Sequence, residues 1–309
     1  FWLKVSPAAR FAGGRRFSLM MDVDGPAGEA HAPAEEGCPQ PVTLLLTGAT
    51  DGIGRCTARR LVQRGNLRLL LHGRDPAKGA ALLEELSALA AGAVETSFHQ
   101  ADLSRLDEVR ALAQQVSDSV TRLDVLINNA GAGPGPEGAG RKEAADGHEH
   151  ILTVNTLAPY LLAEKLQPLL SRGRRPRLVH VASLGQAPFG LDDLDFTQGY
   201  NGLVAYRRSK LALIMLGFEQ APRWEAQGVS VLSLHPGTLL NTAMVREGWR
   251  EVRGEPEEGA ESIEHVALAD VGTGGFFDRK RPARALAEAY DPSMRQRLEA
   301  IVREWTGLA

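Results

Sequence analysis

Two cysteines in 309 residues, Cys38 and Cys56, are too few for a disulfide framework or a cysteine-built zinc site. No apolar run approaches the roughly 18 residues that a membrane-spanning helix needs. Charge of one sign is also missing. Thirty-five Lys and Arg stand against 38 Asp and Glu, a formal net charge of −3, so no electrostatic footprint for a nucleic-acid partner is present. Histidines are not grouped for metal binding either. His148 and His150 are two residues apart and do not share a helical face, and no HExxH or paired Cys/His spacing occurs. What remains is ordinary, with 43% apolar and 24% charged residues. Composition points to a globular chain in a reducing, aqueous compartment, with the cytoplasm as the expected location.

The chain changes character near residue 41. Residues 1–21 carry Lys4, Arg10, Arg15 and Arg16 with no acid, a pattern like an organellar transit peptide. The plainer alternative is an upstream extension with Met20 or Met21 as the natural start. Residues 22–41 are rich in Ala, Gly, Pro and Glu without periodicity, so residues 1–41 are expected to be a disordered extension.

From Val42 onward, strand-like and helix-like stretches alternate. Apolar runs at Val42–Leu46, Leu67–His72, Val94–His99, Leu123–Ile127, Leu178–Ala182 and Val229–Leu234 predict strands. Helical patterns predict helices near 55–64, 77–91, 106–120, 151–170 and 204–225. Continuous Leu/Val runs suit strands buried on both faces. Strict alternation predicts a parallel sheet with right-handed crossovers. The expectation is one doubly wound α/β domain of Rossmann type over residues 42–309.

Thr47–Gly54 reads TGATDGIG, directly between the first strand and first helix. A glycine turn at a helix N-terminus lets bare backbone approach a pyrophosphate, and the helix dipole favours its charge. Gly48, Thr50, Asp51, Gly52, Ile53 and Gly54 are the candidate contacts. Three glycines could serve a tight turn alone, but the strand–turn–helix setting favours a nucleotide site. Dinucleotide folds that hold NAD place an acid at the end of the second strand, against the ribose 2′-hydroxyl. Here that place holds His72, then Gly73 and Arg74. Arg74, with Arg55 just beyond the last glycine, could clamp a 2′-phosphate. NADP(H) is therefore expected over NAD(H), although Asp75 lies close by.

Three further marks follow: Asn128–Gly131 (NNAG) after a strand, Ser183 after another, and YRRSK from Tyr206 to Lys210. Reducing a carbonyl takes a hydride and a proton for the developing alkoxide. A tyrosine, with an ordinary pKa of about 10, can give that proton if a nearby cation stabilises its anion. Tyr206 and Lys210 are four residues apart, one helical turn on one face. Together with TGxxxGxG, these motifs resemble the short-chain dehydrogenase/reductase family over about residues 42–242. The 23 residues from Ser183 to Tyr206 resemble its retinol-dehydrogenase-like branch.

The resemblance implies an oxidoreductase interconverting an alcohol and a ketone or aldehyde. It assigns Tyr206 as acid, Lys210 to the tyrosinate and nicotinamide ribose, Ser183 to the substrate oxygen, and Asn155 to a proton-relay water. It further implies that Asp102 and Leu103 lie beside the adenine. Asn129, Ala130 and Gly131 would line the cofactor cleft, and Pro236 and Gly237 would lead into the substrate lid. The sequence departs from the family's PGxxxT there, because Asn241 fills the threonine's place and Thr242 comes one later. Within the long 184–205 segment, Asp192, Asp193 and Asp195 could shape an apolar pocket or simply face solvent. Tyr200 is a rival to Tyr206 that lacks the following lysine, since Val204 stands there. Cys56 reads as a small packing residue.

Two other functions compete: a sugar-nucleotide epimerase or dehydratase, and a sensor that binds NADP without turnover. The first is disfavoured by TGxxxGxG and the second by the joint presence of Ser183, Tyr206 and Lys210. An apolar small-molecule carbonyl or alcohol is the expected partner, with neither nucleic acid nor metal, and a homo-oligomer is the expected assembly. Beyond 242, a polar Gly248–Gly259 stretch, a last strand over Gly272–Phe277 and a helix over Arg284–Tyr290 ending before Pro292 are expected.

Overall fold

The computed structural model describes residues 40–308, so the expected extension falls almost wholly outside the described residues. Leu- and Val-rich runs pair as strands because their side chains alternate between two apolar layers. In β1 (Val42–Leu46), Leu44 and Leu46 enter one core and Leu45 the other. Burying each such leucine contributes about 1.5–3 kcal/mol. The other parallel strands are β2 (Leu67–Gly73), β3 (Val94–Gln100), β4 (Val125–Asn128), β5 (Arg177–Val181), β6 (Ser230–His235) and β7 (Gly275–Asp278). A short antiparallel strand, β8 (Arg281–Ala283), closes one edge, giving the order β3-β2-β1-β4-β5-β6-β7-β8.

Several helices start where a cap residue meets an apolar run. Asp51 accepts from Gly52 N–H at the head of α1 (Gly52–Arg64), and Gly65 in the left-handed region ends it. Asp75 caps α2 (Pro76–Leu89), with proline at the favoured first position. In α3 (Leu106–Ser119), Leu106, Val109, Leu112, Ala113 and Val116 form the buried stripe. α1, α2 and α8 (Pro256–Leu268) cover one sheet face. The other is covered by α3, α5 (Ala158–Leu170), α6 (Gly202–Glu225) and α9 (Pro292–Trp305).

The structure corrects three expectations. The helix expected over 151–170 is interrupted: α4 (His150–Leu152) is followed by a wide π turn over Thr153–Leu157 before α5 begins. The last predicted helix shrinks to one tight turn at Ala287–Tyr290, and Pro292 opens α9 rather than stopping a helix. Asp291 caps it through Ser293 and Met294 N–H, which is why a proline can sit there. Cys56 is not core packing, because its half-buried thiol donates to Glu257 at 3.3 Å. The polar 248–259 stretch holds the start of α8, preceded by α7 (Ala243–Gly248).

Successive strands run outward in opposite directions from the neighbours β1 and β4. A crevice opens beyond the carboxyl ends of strands at such a reversal. Among the described residues, no helix is long and apolar enough to cross a membrane.

Candidate active site

The crevice holds a cleft of about 480 Å³ between the glycine turn, the end of β2 and the loop after β4. Bare backbone is required there. A Cβ on Gly54 would lie 2.0 Å from the Gly48 carbonyl oxygen, and Gly48 has a φ of +64 with Ala130 Cα only 2.8 Å from its missing Cβ. Thr47 and Asn129 lock the turn to the NNAG loop. Thr47 Oγ1 accepts from Asn129 and Ala130 N–H, both at 3.0 Å, and Asn129 Nδ2 donates to the Thr47 carbonyl at 2.8 Å.

His72, where an acid would hold the ribose of NAD, is a buried strut. Its Nδ1 accepts from Gly48 N–H at 3.2 Å, which makes Nε2 the donor to the Ala101 carbonyl at 3.0 Å. Burial pushes its pKa down to about 4, so it stays neutral. Thr50, Asp51, Gly52, Ile53, Asp102 and Leu103 line the cleft. Asp102 accepts from Ser104 N–H and Oγ, both at 2.9 Å, and those hydrogen bonds help hold its carboxyl below the usual range against partial burial.

The two candidate phosphate-binding arginines separate. Arg74 lines the cleft; among the described residues its side chain makes no hydrogen bond or close ion pair, and its charge helps lower the pKa of the Asp102 carboxyl. Arg55 does not line it and pairs with Glu85 at 2.7 Å. Arg74 and the glycine cradle fit a dinucleotide phosphate.

At the other end, α6 brings Tyr206 and Lys210 beside Ser183 and Asn155. Asn201 caps α6 through Val204 N–H, fixing where the helix begins and so where both side chains project. Ser183 Oγ accepts from Gly185 N–H at 2.9 Å, leaving its own proton free to donate. Burial pushes the Tyr206 hydroxyl upward and the Ser183 hydroxyl beside it pulls it back. Lys210 donates to the Val181 carbonyl at 3.0 Å, with Nζ 5.9 Å from the Tyr206 ring centre. Burial lowers its pKa to about 8.

Asn155 sits in the π turn, a feature that helices often place at functional positions. Its Oδ1 accepts from Ala132 N–H at 2.7 Å, while Nδ2 faces the Ala132 carbonyl and Ser209 Oγ, each at 3.0 Å. A Cβ on Gly131 would be 3.1 Å from Asn155 Oδ1 and 3.5 Å from Lys210 Nζ, so these three groups meet.

A second cavity of about 410 Å³ opens on Ser183 and Tyr206, with Pro236 and Gly237 in its wall. Thr242 and Met244 line both cavities. Thr242 Oγ1 caps α7 at Val245 N–H, and its methyl lies 2.9 Å from where a Cβ on Gly52 would be. Trp249 packs edge-on against Tyr206 at 5.4 Å. Sequence reading missed Met244 and Trp249, since neither belongs to a spaced motif.

The acids of the long segment divide between solvent and structure. Asp193 caps a local turn at Thr197. Asp195 takes Arg141 at 2.8 Å and Glu149 N–H at 2.7 Å, tying the segment to the loop after NNAG. Tyr200 donates to the buried Glu149 at 3.0 Å. Phe196, Ile151 and Ala205 pack with Tyr200 and Tyr206 in a small apolar cluster. His148 stacks on Trp305 of α9 at 4.3 Å, and His150 lines the cofactor cleft. Among the described residues, no three His, Cys, Asp or Glu side chains gather where they could hold a metal ion.

Glycine turn, switch-point cleft and a buried Tyr–Lys pair define a nicotinamide-dependent oxidoreductase. Residues 42–252, more than half the chain, match the short chain dehydrogenase family model, and the chain belongs to that family. It is similar to human retinol dehydrogenase 11, 32% identical over 278 residues with 86% of each chain covered. Mouse polyprenol dehydrogenase is 33% identical, covering 87% of this chain and 85% of its own. A metagenomic short-chain oxidoreductase solved in complex with NADP superposes with a TM-score of 0.60 at 27% identity, covering 79% of this chain and 98% of that one. The family's reaction, alcohol–carbonyl redox by hydride transfer, is the class to which this chain's chemistry belongs.

Proposed function

We propose that the chain is an NADP(H)-dependent alcohol dehydrogenase or carbonyl reductase acting on an apolar ketone, aldehyde or alcohol. The carrying observation is that Tyr206 and Ser183 line the second cavity together, with the buried Lys210 Nζ 5.9 Å from the Tyr206 ring centre. The nicotinamide cofactor, when bound, supplies or accepts the hydride. Gly48, Gly52 and Gly54 would hold its pyrophosphate, Asp102 and Leu103 its adenine, and Arg74 a 2′-phosphate. Asn129, Ala130 and Gly131 form the adjoining wall.

Ser183 donates to the substrate oxygen with the proton that its Gly185 contact leaves free. Tyr206 gives its proton as that oxygen becomes an alkoxide. Lys210, buried and still largely protonated at neutral pH, stabilises the tyrosinate left behind. Asn155 fixes the Ala132 backbone, and the family resemblance gives it the relay water. Arg55, held by Glu85, has no part in this reading. The solved relative that contains NADP supports the cofactor choice, and the named retinol and polyprenol relatives support an apolar substrate.

The test is NADPH oxidation, with NADH in parallel, across ketones, aldehydes, retinoids and steroids. Faster NADPH oxidation with one or more carbonyls is expected. Tight NADPH binding with no turnover on any of them would favour a sensor instead.

A further inference from the structure

The second cavity has an unusual wall. Leu203, Leu239, Leu240, Val245 and Trp249 give it an apolar body, and none of its lining residues is Asp or Glu. Two arginines lie in the same wall, Arg207 and Arg253. Arg253 is already engaged, holding Glu251 through two contacts of 2.9 Å. Nearby Arg246 donates to Asn241 Oδ1 at 2.8 Å, and Arg208 donates to the Pro188 carbonyl at 3.1 Å. Arg207 alone of these has no hydrogen-bonding or ionic partner among the described residues.

An exposed arginine in water needs no partner, so freedom alone decides nothing. Position does. Arg207 follows Tyr206 on α6, about 100° further round the helix, so one helical turn presents both the acid and a free guanidinium to one cavity. Leu184, another lining residue, is 43% exposed. Apolar surface at a mouth beside an unpaired cation fits a ligand that is apolar in its middle and anionic at its outer end.

We propose that Arg207 binds an anionic group, in the first instance a carboxylate, at the end of the substrate remote from its reacting carbonyl. The substrate class is an apolar oxo-acid or hydroxy-acid. This rests on the reductase reading above and adds a second anchor to it. Tyr206 and Ser183 receive the carbonyl, the apolar wall covers the chain, and the guanidinium takes the carboxylate through paired N–H donors. Fixing both ends of the molecule orients its carbonyl before reaction.

The experiment titrates the full chain with ω-oxododecanoate and with its methyl ester by calorimetry, both with and without NADP⁺. Binding to the oxidised cofactor complex reads this proposal without turnover, whereas absence of NADPH oxidation on either compound would count against the reductase reading separately. Wild type is expected to bind the acid roughly tenfold more tightly than the ester. That preference should weaken with added salt. Arg207→Gln should remove it while leaving ester affinity unchanged, and Arg207→Lys should restore part of it. Equal affinity for acid and ester, no binding of the acid, or a preference that survives in Arg207→Gln would overturn the proposal.

Discussion

The two cavities are built from different materials. The cofactor cleft depends on bare backbone at Gly48, Gly52 and Gly54, where a Cβ would meet neighbouring atoms. The substrate cavity is lined by three separated segments, residues 182–185, 203–207 and 235–253, together with Ile53 of α1. The first needs a particular backbone path, which only certain residues permit. The second needs volume and polarity, which many sequences can supply. The cleft is therefore a shared device and the cavity an individual one, and they adjoin at Ile53, Thr242 and Met244.

The largest effect is expected at Tyr206, in the wall of the substrate cavity. Tyr206→Phe removes a proton donor from the substrate side while leaving the glycine cradle untouched. Turnover should fall about 10²–10⁴-fold, with NADPH affinity, read by fluorescence titration, nearly unchanged. A parallel loss of affinity would show that the two cavities are not separable.

Each cavity also rests on a buried neutral histidine, His72 beneath the cleft and His235 beside the substrate. Both have pKa values near 4, as does His180 in β5. The unfolded chain, with histidines near 6.5, binds more protons between pH 6.5 and 4. Stability should therefore fall as pH drops through that window, by on the order of 3 kcal/mol per site at its lower end. Above pH 6.5 these groups should contribute no slope. Urea unfolding across pH 4–8 checks this, and a flat profile would contradict the neutral, buried assignment.

Arg74→Ala sharpens the comparison from the cofactor side. It should weaken NADPH by about 10–100-fold, the value of a charge-assisted contact, and leave NADH nearly unaffected. Arg55→Ala, breaking only the Glu85 pair, should change neither. Gly54→Ala should destabilise the chain by about 1–3 kcal/mol because its Cβ would press on the Gly48 carbonyl. Gly190→Ala, where nothing lies within 4 Å of the added atom, should stay within about 0.5 kcal/mol. Equal effects would remove the argument that the cleft depends on bare backbone.

This difference in material also explains what the sequence disclosed. The alternation of β1 through β6 with helices was legible because buried strands demand Leu/Val runs, and TGATDGIG was legible because its spacing answers a steric demand. Tyr206 and Lys210 were visible through helical spacing, and Ser183 through its place after β5. The π turn at Thr153–Leu157 left no such mark, since TVNTL suits an ordinary helix equally well. α9 was missed because Pro292 reads as a stop, although Asp291 before it makes it a start. Arg55 and Arg74 looked equivalent along the chain, and the structure distinguishes them by the Glu85 partner of Arg55 and the place of Arg74 in the cleft wall. For Asp195 the sequence offered a pocket-shaping or a solvent-facing role, and its bonds to Arg141 and Glu149 N–H show neither, because it ties two loops together.

The most direct test of hydride transfer at this site is isotopic. The full chain is incubated with NADPH carrying deuterium at the transferable C4 position and with a carbonyl selected from the panel, and the alcohol product is weighed by mass spectrometry. The account predicts one deuterium in the product from wild type, and about 10²–10⁴-fold less labelled product from Tyr206→Phe. Product formed without the label, or equal labelled product from the variant, would contradict it.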